Sequence, residues 1–97
     1  MNKIEFNNLV ISLDEKTCTL DGVEINLTKT EFNLLVFLLS NKNKIFSQKE
    51  LIQHVWGEDV KVTTRAVDTT ISRLRKKLKE FSKYIVTRPG FGYGFKP

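Results

Sequence analysis

The sequence predicts an α+β fold: an N-terminal four-stranded antiparallel sheet, a three-helix core and a C-terminal β-hairpin. Three observations carry this. Apolar and polar residues alternate with period two across residues 4–27, the signature of half-buried strands. Two Thr/Ser-x-x-Glu pairs, Thr28 with Glu31 and Ser47 with Glu50, stand at the head of apolar runs, as helix-opening capping boxes do. The chain closes on "VTRPGFGYGF", residues 86–95, where glycines alternate with aromatics. Its 97 residues leave room for one core, so residues 1–97 are read as a single domain.

The strands come first. Ile4 and Phe6, then Leu9, Ile11 and Leu13, then Cys18 and Leu20, then Val23, Ile25 and Leu27 keep one parity within each run, with polar residues mostly between them. These side chains are expected on the core face of a meander. Asp21-Gly22 is a two-residue hairpin signal. The first helix, "LTKTEFNLLVFLLSN", starts at the Thr28 box. Phe32, Leu35, Val36 and Leu39 form its main stripe, and Leu34, Phe37 and Leu38 widen it, so it is expected to be the central, most buried helix. "SNKNK" ends it. The second, shorter helix, "SQKELIQHVWG", turns Leu51, Ile52 and Val55 inward and closes at Gly57. "EDVKV" then reads as an exposed connection to a third helix over residues 64–80.

That third helix carries the sharpest information. With Val67 at zero and about 100° per residue, Ile71, Leu74 and Leu78 all fall within about 40° of it, giving one narrow core stripe. Arg65, Thr69, Ser72, Arg73 and Lys76 lie between about 140° and 240°, directly opposite. Asp68, the only acid before Glu80, sits near 100°, off both faces. The face is basic and carries short hydroxyls, unlike a solvated helix with alternating signs. The whole chain has the same bias. Residues 1–60 hold six lysines against nine acids, a net of −3, and residues 61–97 hold ten cations against two acids, a net of +8. The excess points to a polyanionic partner for the C-terminal third. The major groove of DNA admits one α-helix, in which Arg can donate twice to a guanine edge and Thr can meet either base type, while Lys and Arg at the rim neutralise phosphates. A preceding helix joined by a turn completes a helix-turn-helix layout.

Other classes fare worse. No run of about 18 apolar residues is present to span a bilayer, and the N-terminal stretch has no long apolar block, so the chain is expected to be cytoplasmic. One cysteine, Cys18, and one histidine, His54, make neither a disulfide nor a zinc site, and no nucleophile–base pair stands out. No catalytic residue, metal or cofactor is therefore expected, and Cys18 is read as buried filler. A phosphate-cradling glycine loop needs a helix after it, whereas here the chain ends two residues beyond Phe95. The glycines instead fit a hairpin turn in which Gly supplies positive φ, and the hairpin over residues 84–96 reads as a wing with Tyr93 and Phe95 packed back onto the domain. The rival reading is a protein-interaction module for an acidic partner.

The run "LTKTEFNLLVFLL", "SQKELIQHVWG", "RAVDTTISRLRKKL" and "GFGY" resembles the winged helix-turn-helix DNA-binding domain of OmpR/PhoB-type response regulators, over essentially the whole chain. The resemblance implies an effector domain that follows a phosphorylatable receiver, which this sequence does not include. It also implies promoter DNA with direct repeats as the partner, bound as a head-to-tail dimer. By matching positions, Thr69, Thr70 and Arg73 are implied to read bases, and Arg65, Ser72, Arg75, Lys76, Lys77 and Trp56 to meet the phosphate backbone. Trp56 also reads as a half-buried anchor. The connection with Glu58, Asp59 and Lys61 matches a loop that touches RNA polymerase in several members. The wing is represented by Arg88, Gly90, Gly92 and Tyr93. There are two departures: many members carry a basic residue before the first glycine of the "GFGY" motif, the one that enters the minor groove, and another just after the tyrosine, where this chain has Pro89 and Gly94. Arg88 sits one place earlier, and a one-residue shift in a strand reverses the face.

Overall fold

The computed structural model describes residues 2–57 and 61–97. Strands β1 (Lys3–Phe6), β2 (Leu9–Ser12), β3 (Thr17–Leu20) and β4 (Val23–Ile25) form an antiparallel sheet in the order β1-β2-β3-β4. Asp21 and Gly22 both take positive φ, 54° and 79°, and Leu20 pairs with Val23. This is the double left-handed geometry that the Asp-Gly pair predicts. Leu9, Ile11 and Cys18 are buried, and burial pushes the Cys18 thiol up to about 11, which keeps it protonated and unreactive. Val23 departs from its expected inward position. It opens the edge strand directly after the turn, where no described residue covers it, and is 68% exposed.

Helix α1 (Lys29–Ser40) closes its capping box as predicted: the Glu31 amide donates to Thr28 Oγ1 at 3.1 Å and the Thr28 amide to Glu31 Oε1 at 2.9 Å. Phe32, Leu34, Leu35, Leu38 and Leu39 are buried, so this is the central helix. Helix α2 (Gln48–Leu51) has the same box between Ser47 and Glu50, then widens into a π-helical turn over Ile52–Trp56. The Gly57 amide donates to Ile52 O at 2.9 Å and Gly57 takes φ 96°, which stops the helix where the sequence places its end. His54 is exposed and stacks on Phe37 at 4.8 Å between ring centroids.

Helix α3 (Thr64–Leu78) buries Val67, Ile71, Leu74 and Leu78, the stripe drawn from periodicity. It ends two residues before the predicted Glu80. Lys79 turns to φ 54°, and a 3₁₀ stretch, Lys79–Tyr84, folds Phe81 into an aromatic cluster with Phe6, Tyr84 and Phe95. No Gly or Pro marks this end in the sequence; long-range aromatic packing sets it.

Strands β6 (Ile85–Arg88) and β7 (Gly92–Phe95) form the expected hairpin, but a strand absent from the sequence reading joins it. Strand β5 (Ile45–Phe46) pairs with β7, so the wing rests on a three-stranded sheet in the order β5-β7-β6. This changes what the glycines do. Gly90, at φ 83°, fits the third position of a type II turn begun by Arg88-Pro89 and closed by the Phe91 amide donating to Arg88 O at 2.9 Å. A Cβ on Gly92 would instead strike the Phe46 carbonyl, and one on Gly94 the Lys44 carbonyl. Those two glycines let β5 approach β7, a role that hairpin logic did not assign them.

Candidate nucleic-acid interface

On α3, Arg65, Thr69, Ser72, Arg73 and Lys76 are all exposed, on the side away from the buried stripe. Among the described residues the only ion pair joins Lys77 to Glu31, so the charges of Arg65, Arg73 and Lys76 stand un-neutralised. Thr70 is half-buried and its Oγ1 donates to Ala66 O at 2.8 Å. Its proton is held by its own helix, which leaves the methyl and an acceptor lone pair for a neighbour.

Three residues expected at the phosphate backbone have work inside the fold. Arg75 donates from Nη2 to Ile85 O at 2.8 Å and to Thr87 Oγ1 at 2.7 Å, and from Nε to Ile85 O at 3.2 Å. Its guanidinium also lies 5.8 Å from the Tyr93 ring centroid. It ties α3 to the wing. Lys77 Nζ sits 2.6 Å from Glu31 Oε1. Burial pushes the Glu31 carboxyl up, yet the Lys77 hydrogen bond and charge, with the Thr28 amide and hydroxyl, bring it below the usual carboxylate range. One carboxylate thus caps α1 and anchors α3. Trp56 is half-buried and packs on the core, the anchor alternative of the sequence reading.

The wing is held by a network that sequence reasoning missed. Asp68 Oδ1 accepts from the Tyr93 hydroxyl and, at 2.8 Å, from Gln48 Nε2, so one carboxylate joins α2, α3 and the wing. Its angle, off both the apolar stripe and the basic face, was the one signal available beforehand. Burial and then the bond to Asp68 push the Tyr93 hydroxyl up to about 12, so it remains a donor through neutral pH. Thr87 and Tyr93 pair across the hairpin and both reach α3. Strand alternation therefore sends the exposed Arg88 to the opposite face of the hairpin. A cleft of about 410 Å³ runs between the wing and the starts of α2 and α3, with Ser47, Lys49, Thr64, Asp68, Arg88 and Phe91 on its walls. Lys61 is exposed, while Glu58 and Asp59 lie outside the described residues.

A sheet, three helices with the last basic on its outer side, and a wing strapped to that helix define a winged helix-turn-helix domain. The chain belongs to the family described as transcriptional regulatory protein, C terminal, whose model matches residues 22–95. It is 42% identical over 94 residues to the response regulator ArlR of Staphylococcus saprophyticus, a match covering 95% of this chain and 43% of ArlR. It therefore spans less than half the length of the curated relatives it matches. Its fold is similar to DrrB, an OmpR/PhoB homolog from Thermotoga maritima, with a TM-score of 0.87 and 35% identity over 98% of this chain and 44% of DrrB. It is also similar to the DNA-binding domain of Klebsiella pneumoniae RstA, solved in complex with the RstA box, with a TM-score of 0.87 and 30% identity over 100% of this chain and 99% of that one. Among the described residues, no helix is long and apolar enough to cross a membrane.

Proposed function

We propose that this chain is the effector domain of a two-component response regulator, binding duplex DNA sequence-specifically to regulate transcription. The observation that carries the reading is the exposed, un-neutralised face of α3, Arg65, Thr69, Ser72, Arg73 and Lys76, set opposite its buried stripe. Family membership and the DNA-bound RstA structure support it. In this reading α3 lies in the major groove. Arg73 donates to a guanine edge, and Thr69 and Thr70 meet neighbouring bases, Thr70 through its methyl. Arg65, Ser72 and Lys76 meet phosphates, while Arg75 and Lys77 act through the fold. The wing, with Arg88, Gly90, Gly92 and Tyr93, lies along the adjacent minor groove or backbone. With few large donors on α3, DNA shape contributes to selectivity.

The larger assembly belongs to the same proposal: a receiver domain in the full-length protein, head-to-tail dimers on direct repeats, and RNA polymerase at the loop carrying Glu58, Asp59 and Lys61. The test is selection of bound fragments from a genomic library at two salt concentrations. Arg73→Ala is expected to weaken the selected site by about 1–3 kcal/mol and relax base preference. Lys76→Ala weakens all sequences alike and lowers the salt slope by about 0.9. Equal losses on selected and random DNA for both variants would remove Arg73 from base reading. Absence of salt-dependent binding would favour an acidic protein partner.

A further inference from the structure

We propose that Phe91, at the tip of the wing, packs against the deoxyribose wall of the minor groove and supplies the wing's groove contact by apolar surface rather than by charge. The proposal rests on the DNA-binding reading above. Phe91 is 73% exposed, and among the described residues only Val23, on the N-terminal sheet, is another large apolar side chain so exposed. An apolar side chain of this size held out in water at the end of a hairpin has no role in the core.

Geometry makes the tip a fixed probe. Pro89 has a locked φ, Gly90 takes φ 83°, and the Phe91 amide closes the turn on Arg88 O at 2.9 Å. The hairpin below it is bound to α3 by Arg75 and by the Tyr93–Asp68 hydrogen bond, and to β5 by the close approach at Gly92 and Gly94. The tip is thus held to the helix that carries the basic face, and Phe91 lines one cleft with Thr64 and Asp68 at the start of that helix.

Charge selects the occupant. Phe91 shares its cleft with Lys49, and the acid there, Asp68, is already engaged by Tyr93 and Gln48. Residues 61–97 carry a net +8, so a second copy of this face would be repelled. A polyanion with an apolar inner wall fits: the minor groove, lined by sugars between two rows of phosphates, into which proteins insert Phe, Leu and Met. Arg88 leaves the hairpin on the face opposite α3 and stands at the rim, where a phosphate suits it better than the groove floor.

The experiment uses the 97-residue chain and a duplex that the wild type selects from a random library. Wild type, Phe91→Ala and Phe91→Leu are compared by fluorescence anisotropy and by hydroxyl-radical cleavage, which attacks deoxyribose from the minor groove. Phe91→Ala is expected to lose protection at the minor groove flanking the α3 footprint and to bind about tenfold more weakly, with an unchanged salt slope. Phe91→Leu, still apolar, restores most of both. Unchanged flank protection and affinity in Phe91→Ala would overturn the proposal. So would unchanged DNA binding with reduced self-association in sedimentation without DNA, which would give Phe91 to a protein contact. Failure of the wild type to select any duplex would refute the DNA-binding reading itself, a different outcome from a Phe91 variant that binds as the wild type does.

Discussion

Lys77→Met separates a phosphate contact from a structural strut. In the folded chain Glu31 is 3% exposed and holds the Thr28 amide at 2.9 Å, with Lys77 as its only countercharge among the described residues, at 2.6 Å. Removing one partner of a fully buried ion pair costs about 3–5 kcal/mol, because the other charge is left in low dielectric. The Lys77 side chain is 36% exposed, so water can reach the site in the variant and the low end is discounted. A loss of about 2 kcal/mol is expected, or roughly 8–16 °C in Tm for a domain of this size. Glu31→Gln keeps an acceptor for Thr28 and removes the charge, so the double variant recovers part of the loss, and a double-mutant cycle by urea unfolding measures the coupling. The lowered Glu31 pKa sets the pH window: its stabilisation is fully present above the ordinary carboxylate range and disappears as pH falls through the depressed value. In Lys77→Met the folded pKa of Glu31 moves back up, since burial is then opposed only by the Thr28 bonds, so this acid-side loss shrinks. DNA binding by the folded variant should keep the wild-type salt slope. A slope lowered by about 0.9, with unchanged stability, would refute the structural assignment and return Lys77 to the phosphates.

The tether between wing and helix is tested by Tyr93→Phe, which removes only the hydroxyl on Asp68 and should cost about 1 kcal/mol, read by chemical denaturation at neutral pH. The folded Tyr93 pKa is raised from 10.0 to about 12, so its contribution is complete below pH 10 and fades as pH rises toward 12. Tyr93→Phe should flatten that alkaline loss; an identical alkaline slope would show that the hydrogen bond contributes nothing. Among the wing glycines, alanine should destabilise Gly92 and Gly94 by more than about 2 kcal/mol, through overlap with backbone carbonyls of Phe46 and Lys44. Gly90→Ala, with open space around it but φ 83°, should cost only about 1 kcal/mol. Thermal melts giving the reverse order would contradict the pairing of β5 with β7.

Much of the architecture was legible because its causes are local. Both capping boxes, the Asp21-Gly22 turn, the Gly57 stop and the stripe of Val67, Ile71, Leu74 and Leu78 follow from groups within one or two turns of chain. The two-residue strand Ile45–Phe46 was not legible, since it is too short to show a period and exists only because β7 offers it an edge. The end of α3 was misplaced for a related reason: the aromatic cluster around Phe81 recruits Phe6, which lies at the other end of the sequence.

For the candidate site, the sequence by itself determined which side of α3 faces outward and that this side is basic, because helical geometry converts spacing directly into direction. Tertiary structure alone decided which cations remain free. Lys77 meets a carboxylate 46 residues away and Arg75 meets Ile85 and Thr87, while Arg73 and Lys76, on the same helix, have no ion-pair partner among the described residues. Charge neutralisation depends on distances of a few ångströms between segments that only folding brings together, and no periodicity within one helix can encode them.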